Sequence, residues 1–278
     1  MTAHPRWPLR RLGYNYPNVK VRIRDRTGTM PSITRPAAPR SKALDLPPVF
    51  RAVTLREVGD AFKHARAHAA ELGAGALVFV GRFDLAEFAV VLEPDEPLRT
   101  ARRAFYAGMA ALADSLATHA PPEKPITFIW PDAIQIDRGL IGGAQLAWSE
   151  GPEDEPPQWL VFGGMIRTVS MSDTEPGLKP LSTAIEEEGF DDVGATGLVE
   201  SFARHLMVHT DAWQEFGFKE VAKSYLARLE PEKGIRRGID ENGDLLIRRT
   251  GKTDDERQRL IPALARPSWL DPETRGPK

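Results

Sequence analysis

Cysteine is absent from this sequence of 278 residues. Its absence excludes disulfides, thiolate metal sites and catalysis through a cysteine thioester. Long apolar runs are missing too, since none approaches the ~20 consecutive residues that a membrane helix needs. With 41% hydrophobic and 27% charged residues, the composition is typical of globular proteins. We therefore expect a soluble, cytoplasmic protein with no membrane partner.

Acidic residues are scarce in residues 1–44, which carry ten Lys or Arg and one acid, Asp25. Prolines interrupt this segment, and it lacks the apolar stretch of a secretory signal. We interpret it as a disordered basic arm. Its charge would suit nucleic acid or a targeting presequence, but no aromatic or structural pattern accompanies the charge, so we expect no nucleic-acid partner. The remainder of the chain has a net charge of −11.

Clusters of metal ligands are also lacking. His64 and His68 have i, i+4 spacing, as do His205 and His209, but neither pair has a third ligand that the sequence can nominate. No carboxylate pair is arranged for acid/base catalysis either. We therefore expect ordinary helix histidines and no metal site.

Apolar periodicity defines the first half of the globular region. Thr54 and Glu57 have the spacing of a capping box, and Gly73 follows the apolar stripe that they precede, so a helix is predicted between them. The turn Gly81-Arg82-Phe83-Asp84 separates two largely buried runs and predicts a hairpin. The elements predicted here are a helix over residues 58–72, strands over 76–80 and 85–92, and a helix over 98–116.

The second half contains further strands and then helices. Asn242-Gly243 between two apolar runs predicts a type I′ hairpin turn. The predicted elements are strands over 126–130, 133–137, 140–148 and 158–168, helices over 181–188, 196–216 and 218–229, and a hairpin over 235–247. The whole predicts an α/β (α+β) fold whose mainly antiparallel sheet is covered by helices. We divide it into the arm (1–44), a catalytic-type domain (45–230) and a small C-terminal β module with a tail (231–278).

The candidate site lies where Trp130-Pro131-Asp132 meets the glycine pair Gly142-Gly143. Adjacent glycines pack poorly within a strand, but they allow a ligand to approach the main chain closely. A β-bulge at a sheet edge explains the pair equally well. On these residues alone, a ligand site and a bulge are both open.

This stretch resembles the biotin and lipoate protein ligase family, in which Trp-Pro-Asn-Asp and Lys-x-x-Gly occupy these places. The strand over residues 159–166, the helix containing Trp213 and the break at Gly217-Phe218 resemble the rest of that catalytic domain in the same order. Residues 234–247 resemble the start of its small C-terminal β module. The match spans about residues 47 to 248, and its specificity comes from order and spacing together.

The resemblance implies a site and a reaction. Trp130, Pro131 and Asp132 would lie beside an acyl-cofactor pocket, Gly142 and Gly143 would allow a main-chain contact, and Arg82 could pair with a carboxylate or phosphate. The implied substrates are biotin, lipoate or octanoate, with ATP and Mg²⁺ for an acyl-adenylate. The implied partner is a biotinyl- or lipoyl-carrier domain whose lysine is modified.

The sequence departs from the family in two places. Leu140 stands where the family has its lysine, and Ala133 stands where it has a second carboxylate. A fixed ammonium offsets the negative charge of acid and phosphate as a mixed anhydride forms, and leucine cannot. The long glycine- and arginine-rich loop is replaced by the short turn that holds Arg82, for which an ordinary surface hairpin is the simpler interpretation.

Three hypotheses follow from these departures. The first is a ligase that attaches or handles an acyl cofactor. The second is a non-catalytic relative that binds the cofactor or its carrier and regulates or delivers it. The third is a structural interaction module. The branch of the family that transfers octanoyl groups through a cysteine thioester is excluded, because the chain has no cysteine.

Overall fold

The computed structural model describes residues 44–171, 181–190 and 193–278. The predicted basic arm, apart from Leu44, lies outside the described residues. Leu44 and Leu46 pack against the main core, and the boundary between the arm and the globular region remains a prediction. Within the described ranges, no helix is both long and apolar enough to cross a membrane.

The described residues form two sheets and six helices. The larger sheet contains β1 (Arg51–Leu55), β2 (Ala76–Val80), β3 (Leu85–Leu92), β4 (Ile126–Ile129), β5 (Ala133–Ile136), β6 (Gly139–Trp148) and β7 (Leu160–Arg167). The smaller sheet contains β8 (Ile235–Ile239), β9 (Leu245–Arg249) and β10 (Glu256–Gln258). The helices are α1 (Ala61–Leu72), α2 (Leu98–Ala101), α3 (Ala104–Ala117), α4 (Gly194–Phe216), α5 (Phe218–Leu226) and α6 (Leu260–Leu264).

The larger sheet has the strand order β1-β2-β3-β7-β6-β5-β4. The β1–β2 pair is parallel and every other neighbouring pair is antiparallel. The predicted mixed fold with a mainly antiparallel sheet and a small C-terminal sheet is therefore confirmed. The tight turn between β5 and β6 is made by Asp137 and Arg138, which both have positive φ angles.

The two faces of the larger sheet are covered differently. On one face, α3 and α4 pack against the strands through aromatic rings, and the stacked rings of Phe162 and Phe202 lie 5.7 Å apart. On the other face, α1 lies close to β2 and β3 because the residues of its buried stripe are alanines. The second half of this face is covered by residues 266–278, which we call the C-terminal loop. The candidate site lies between α1 and this loop.

The start of α1 differs from the prediction. Thr54 belongs to β1, and Val58 is 96% exposed, so the predicted capping box is wrong. Asp60 caps the helix instead, accepting a hydrogen bond of 2.8 Å from the Lys63 N–H. The strand forms because residues 51–55 pair in parallel with β2, a partner some 25 positions later that local periodicity cannot reveal.

Two other predicted helices are also changed. The helix predicted over residues 98–116 is broken at Arg102 and Arg103 into α2 and α3. Residues 181–188 form turns rather than a helix, because their main chain pairs with the start of β6. The Leu140 N–H donates to the Leu181 carbonyl, and the Thr183 N–H donates to the Leu140 carbonyl.

The predicted C-terminal hairpin forms as β8 and β9, but its turn is not type I′. Gly243 has a positive φ of 85°, whereas Asn242 has none. The Gly243 N–H donates to the Asp240 carbonyl, and the Asp240 carboxylate accepts from the N–H groups of Asn242 and Asp244. The Asp240 carboxylate thus stabilises a turn that needs only one residue with a positive φ angle. The domain boundary near residue 230 remains a prediction.

Candidate functional site

A cavity of about 130 Å³ opens on the sheet face between α1 and the C-terminal loop. Its floor is formed by neighbouring strands, with Glu87 from β3, Gly163 from β7 and Gln145 from β6. Asp60 and Phe62 border it from α1, and Trp269, Leu270 and Arg275 border it from the C-terminal loop. The cavity thus depends on the last residues of the chain as well as on the sheet.

Two glycines allow aromatic rings to lie directly on the sheet. A Cβ atom on Gly163 would lie 2.5 Å from the Phe62 ring. A Cβ atom on Gly143 would lie 2.1 Å from the Asp132 carbonyl oxygen and 2.3 Å from the Trp269 ring. All three distances are too short for a side chain unless the neighbouring atoms move, so glycine is favoured at both positions. The space above Gly143 is therefore filled by an indole.

Glu87 brings a carboxyl group into this cavity. The residue is 5% exposed, and its Oε1 accepts a hydrogen bond of 2.8 Å from the Ala61 N–H at the start of α1. Burial raises the pKa of Glu87, although the Ala61 N–H opposes the shift. Among the described residues no second donor is bonded to this carboxyl, so one oxygen remains available as an acceptor.

Asp132 is buried, but its carboxylate faces the C-terminal loop. Its Oδ1 accepts from the Ser268 hydroxyl at 2.7 Å, and its Oδ2 accepts from the Ser268 N–H at 3.0 Å. Burial raises the pKa of Asp132, and the two bonds from Ser268 oppose that shift. This arrangement makes Asp132 an anchor for the loop.

Trp130 and Pro131 form a cis peptide bond, and their polar atoms bond to α3 and α5. The Trp130 Nε1–H donates to the Tyr106 hydroxyl at 3.3 Å, and the Tyr225 hydroxyl donates to the Pro131 carbonyl at 2.8 Å. Neither residue lines the cavity. The structure thus brings Asp132 and Gly143 together beneath the loop and places Trp130 among the residues of α3 and α5.

Gly142 has a φ of 152°, and a Cβ atom there would lie 1.9 Å from the Met165 carbonyl oxygen. The register of the β5–β6 pairing shifts at this position, as expected for a β-bulge. The glycine pair therefore has both features that the sequence left open. It contains a β-bulge, and it allows a group to approach Gly143 closely, but that group is the Trp269 side chain.

Arg82 lies in the turn between β2 and β3. Its guanidinium donates two bonds to Asp84, at 2.8 Å and 2.5 Å, and this pairing holds the pKa of Asp84 below its usual range. The carboxylate of Glu87 is near enough to contribute to the raised pKa of Arg82, after the larger effect of Asp84. The turn is short, and its arginine is already paired.

Leu140 is half-buried near the start of β6, and a cation lies close to it on β7. Arg167 donates to the Ser182 hydroxyl, and Ser182 forms a β-bridge with Leu140. The same guanidinium donates to the Pro277 carbonyl at 2.5 Å and to the Lys278 main-chain oxygen at 3.1 Å. Arg167 therefore ties the end of the C-terminal loop to the sheet.

Sequence reasoning missed Glu87, Arg167 and Trp269. Glu87 had a usable signal, because it is the one charged residue in the apolar run of β3. Arg167 ends a long apolar strand in the same way. Trp269 had no such signal, since nothing local indicates that residues assigned to a tail return to the larger sheet.

The histidines behave as ordinary side chains. His64 and His68 stack on one another at 4.5 Å on α1, and His209 is buried against Asp114 at 2.8 Å. The described part of the chain has no group of three His, Asp or Glu residues that could hold a metal ion.

Comparison with known proteins identifies the architecture. The sequence profile of the biotin/lipoate A/B protein ligase family matches residues 46–227. A biotin protein ligase-like protein of unknown function from Silicibacter sp. TM1040 is 28% identical, with a TM-score of 0.67, and the match covers 78% of this chain and 97% of that chain. None of the curated proteins matches the sequence.

Two more distant structures share the fold. The biotin protein ligase from Aquifex aeolicus is 16% identical with a TM-score of 0.56, and the match covers 76% of this chain and 99% of that chain. The same enzyme in complex with biotin and ATP is 15% identical with a TM-score of 0.53, over 75% and 98% of the two chains. These matches extend over nearly the whole length of each neighbour.

Proposed function

The chain belongs to the biotin/lipoate A/B protein ligase family, and we propose that it binds a biotin-, lipoate- or octanoate-type acid and handles it for a carrier-protein lysine. The observation that carries the proposal is the cavity between α1 and the C-terminal loop. Its floor combines glycine backbone with two polar side chains, Glu87 and Gln145. Binding sites for small molecules have this combination of a close apolar wall and few polar groups.

The polar groups of the cavity favour a head group that carries N–H donors. One oxygen of Glu87 is held by the Ala61 N–H, which leaves the other as an acceptor. Gln145 offers both a donor and an acceptor from the neighbouring side of the floor. Biotin has two N–H groups and one carbonyl in its urea ring, whereas octanoate and lipoate have no N–H group. We therefore propose biotin as the best fit among the three acids.

The same geometry argues for weak activation of the acid by this chain alone. Leu140 provides no charge on β6, and the turn that replaces the nucleotide loop has its arginine paired with Asp84. Formation of an acyl-adenylate brings two anions together and needs fixed positive charge. We propose that the chain holds the acid and presents it to a carrier domain in the cytoplasm, and that ATP-dependent adenylation is slow.

The alternative is a regulatory paralogue with no transfer activity. The replacement of the family's lysine by Leu140 is the observation that favours it. A transferring protein and a regulatory paralogue both have to bind the acid, but only the transferring protein yields a modified carrier lysine. Mass spectrometry of a carrier domain incubated with the protein, ATP, Mg²⁺ and each acid separates them.

Calorimetry on the full-length protein tests the binding step. Biotin, lipoate and octanoate are titrated into the wild type and into Glu87→Gln. The glutamine keeps an oxygen for the Ala61 N–H but replaces the second oxygen with an NH₂ donor, so biotin affinity should fall by about tenfold or more. Affinity for octanoate should not change. Gly151→Ala is the control, because no atom beyond the two adjacent residues lies within 4 Å of the added Cβ. Equal biotin affinities for wild type and Glu87→Gln would remove Glu87 from the site.

A further inference from the structure

Arg167 is a partly buried cation at the end of β7, and its hydrogen bonds hold it against residues 182–183 and the end of the C-terminal loop. Its guanidinium donates to the Ser182 hydroxyl and to the main-chain oxygens of Thr183, Pro277 and Lys278. Burial lowers the pKa of Arg167, and the more distant Glu187 opposes that effect. Among the described residues no Asp or Glu side chain forms an ion pair with it. The groups that bind it from the C-terminal loop are the main-chain oxygens of Pro277 and Lys278, and guanidinium groups bind such paired oxygens well.

The position of Arg167 relates it directly to the cavity. Residues of one strand that are two apart share a face, so Gly163, Met165 and Arg167 follow one another along the same side of β7. Gly163 borders the cavity, and Arg167 lies four residues further on, about 14 Å away. Through Ser182, the guanidinium also lies beside Leu140, where the family has its lysine.

The C-terminal loop fills the space between these two points. The Trp269 indole lies on Gly143 and donates its Nε1–H to the Ala144 carbonyl at 3.2 Å, and Leu270 continues towards the cavity. The open volume of about 130 Å³ is well below the ~300 Å³ at which ligand pockets usually begin. A complete acyl cofactor therefore requires this part of the loop to move away from the sheet.

We propose that Arg167 binds the carboxylate of the acid whose head enters the cavity, and that the main-chain oxygens of Pro277 and Lys278 occupy Arg167 until the acid displaces the C-terminal loop. The inference rests on the proposed function, since it specifies how that acid lies. The hydrocarbon chain takes the place of Trp269 above Gly143. Arg167 binds the carboxylate from β7, whereas Leu140 leaves β6 without the further cation that would also face a nucleotide phosphate, so adenylation remains slow.

The chemistry of the guanidinium sets the ligand class. A planar fork of N–H donors matches two oxygens of one carboxylate, and two main-chain oxygens already lie on it. A phosphate group offers similar oxygens, so inorganic phosphate is the second source to test. We call the space above Gly143 that Trp269 fills the trough. A neutral alcohol of the same length fills the trough but cannot pair with the cation.

The central experiment compares an acid with its alcohol on the full-length protein. Calorimetry with biotin and biotinol, and in parallel with octanoate and 1-octanol, should show that the acid binds about tenfold or more tightly than its alcohol. Inorganic phosphate should bind more weakly than either acid because it has no chain to fill the trough. Phosphate that binds more tightly than both acids, or acids that bind no better than their alcohols, overturns the assignment of a carboxylate to Arg167.

Variants at Arg167 then test the residue itself. Arg167→Gln also loosens the loop, so the readout is the ratio of acid to alcohol affinity, which should fall to about one in this variant and be largely kept in Arg167→Lys. Arg138→Gln is the matched control, because its side chain is 85% exposed in the β5–β6 turn. An unchanged ratio in Arg167→Gln contradicts the proposal. If Arg167→Gln does not fold, the ratio of acid to alcohol affinity in the wild type tests the proposal by itself.

Displacement of the loop has a separate test. Ser268→Ala removes the hydroxyl bond to Asp132 without altering Arg167 or the cavity floor. Acid affinity should rise several-fold because less of the loop must be released. An unchanged or lower affinity contradicts displacement. If no acid binds to the wild type or to Ser268→Ala, the proposed function itself fails, whereas acids that bind without regard to Arg167 defeat only this inference.

Discussion

Asp132 accepts both hydrogen bonds that Ser268 can donate, one from the hydroxyl at 2.7 Å and one from the main-chain N–H at 3.0 Å. These bonds join the start of β5 to a residue 136 positions later in the chain. The aspartate of the Trp-Pro-Asp motif therefore holds the loop whose next residue, Trp269, covers Gly143. Trp130 bonds to α3 on one side of the sheet, and Asp132 bonds to the C-terminal loop on the other. Both side chains of the motif therefore stabilise the fold.

Asp132→Ala should destabilise the protein by about 1–3 kcal/mol, because it removes the acceptors of both the Ser268 hydroxyl and the Ser268 N–H. Urea denaturation measures the loss. A double-mutant cycle with Ser268→Ala isolates the pair, and a coupling energy near zero would contradict the anchor.

Gly143→Ala should destabilise the protein by at least ~1–3 kcal/mol, because the new methyl group would overlap the Asp132 carbonyl oxygen and the Trp269 ring. Gly151→Ala is the matched control, with open space around its Cβ, and should stay within about 0.5 kcal/mol of the wild type. Thermal or urea unfolding of both variants is the measurement. Equal stabilities would show that the Asp132–Gly143–Trp269 contact is not tightly packed.

Trp269→Ala should cost about 3–5 kcal/mol, since the side chain is 1% exposed and leaves a large cavity when removed. Trp269→Phe keeps a ring on Gly143 and loses the Nε1 bond to Ala144, so it should cost less. The alanine variant should also bind the acids more tightly, because the trough is empty. Calorimetry that shows weaker binding would mean that the indole belongs to the ligand site.

Glu87 should make stability depend on pH. Because burial raises its pKa in the folded protein, its contribution is fully present below the unfolded pKa of about 4.3 and is lost as the pH rises through the folded pKa. Glu87→Gln cannot ionise. The unfolding free energy of Glu87→Gln relative to that of the wild type should therefore rise as the pH increases above about 4.3. Parallel stability curves from urea denaturation across this range would contradict the raised pKa.

Leu140→Lys should increase the slow adenylation that we expect, since it restores a cation beside the trough. Pyrophosphate exchange with ATP and each acid measures the rate. Gln135→Lys is the matched control, because Gln135 pairs with Leu140 across β5 and β6, so that a lysine there lies one strand further from β7. A wild-type rate comparable with ordinary ligases would contradict slow adenylation, and equal gains in both variants would indicate a general effect of charge.

Local patterns were sufficient where neighbours in the chain make the structure. β2, β3 and their turn are two apolar runs around a short polar link, so the hairpin could be predicted from composition alone. The helix α4 has a long amphipathic period and ends at Gly217, as predicted. β1 could not be predicted in the same way, because its pairing with β2 depends on a contact across α1.

The candidate site also has a part that could be predicted from the sequence and a part that could not. The sequence placed Asp132 beside Gly143, because the strand pairing that joins them is local. It placed Trp130 in the same site, whereas the Trp130 side chain bonds to Tyr106 on α3. A motif gives the order of residues along the chain, but Trp130 and Asp132 lie in the turn between β4 and β5, where the alternation that keeps residues two apart on one face does not hold.

The sequence by itself determined the composition typical of globular proteins, the mainly antiparallel sheet, the small C-terminal sheet and the resemblance to the ligase family, since these follow from composition, period, turn chemistry and residue order. It also determined that position 140 carries no charge. Only the tertiary structure decided what lies above Gly143 and which residues face the cavity. Trp269, Arg167 and Glu87 are far apart along the chain, and burial of the indole against the sheet, not any local preference, brings the C-terminal loop onto the face where Arg167 and the cavity lie.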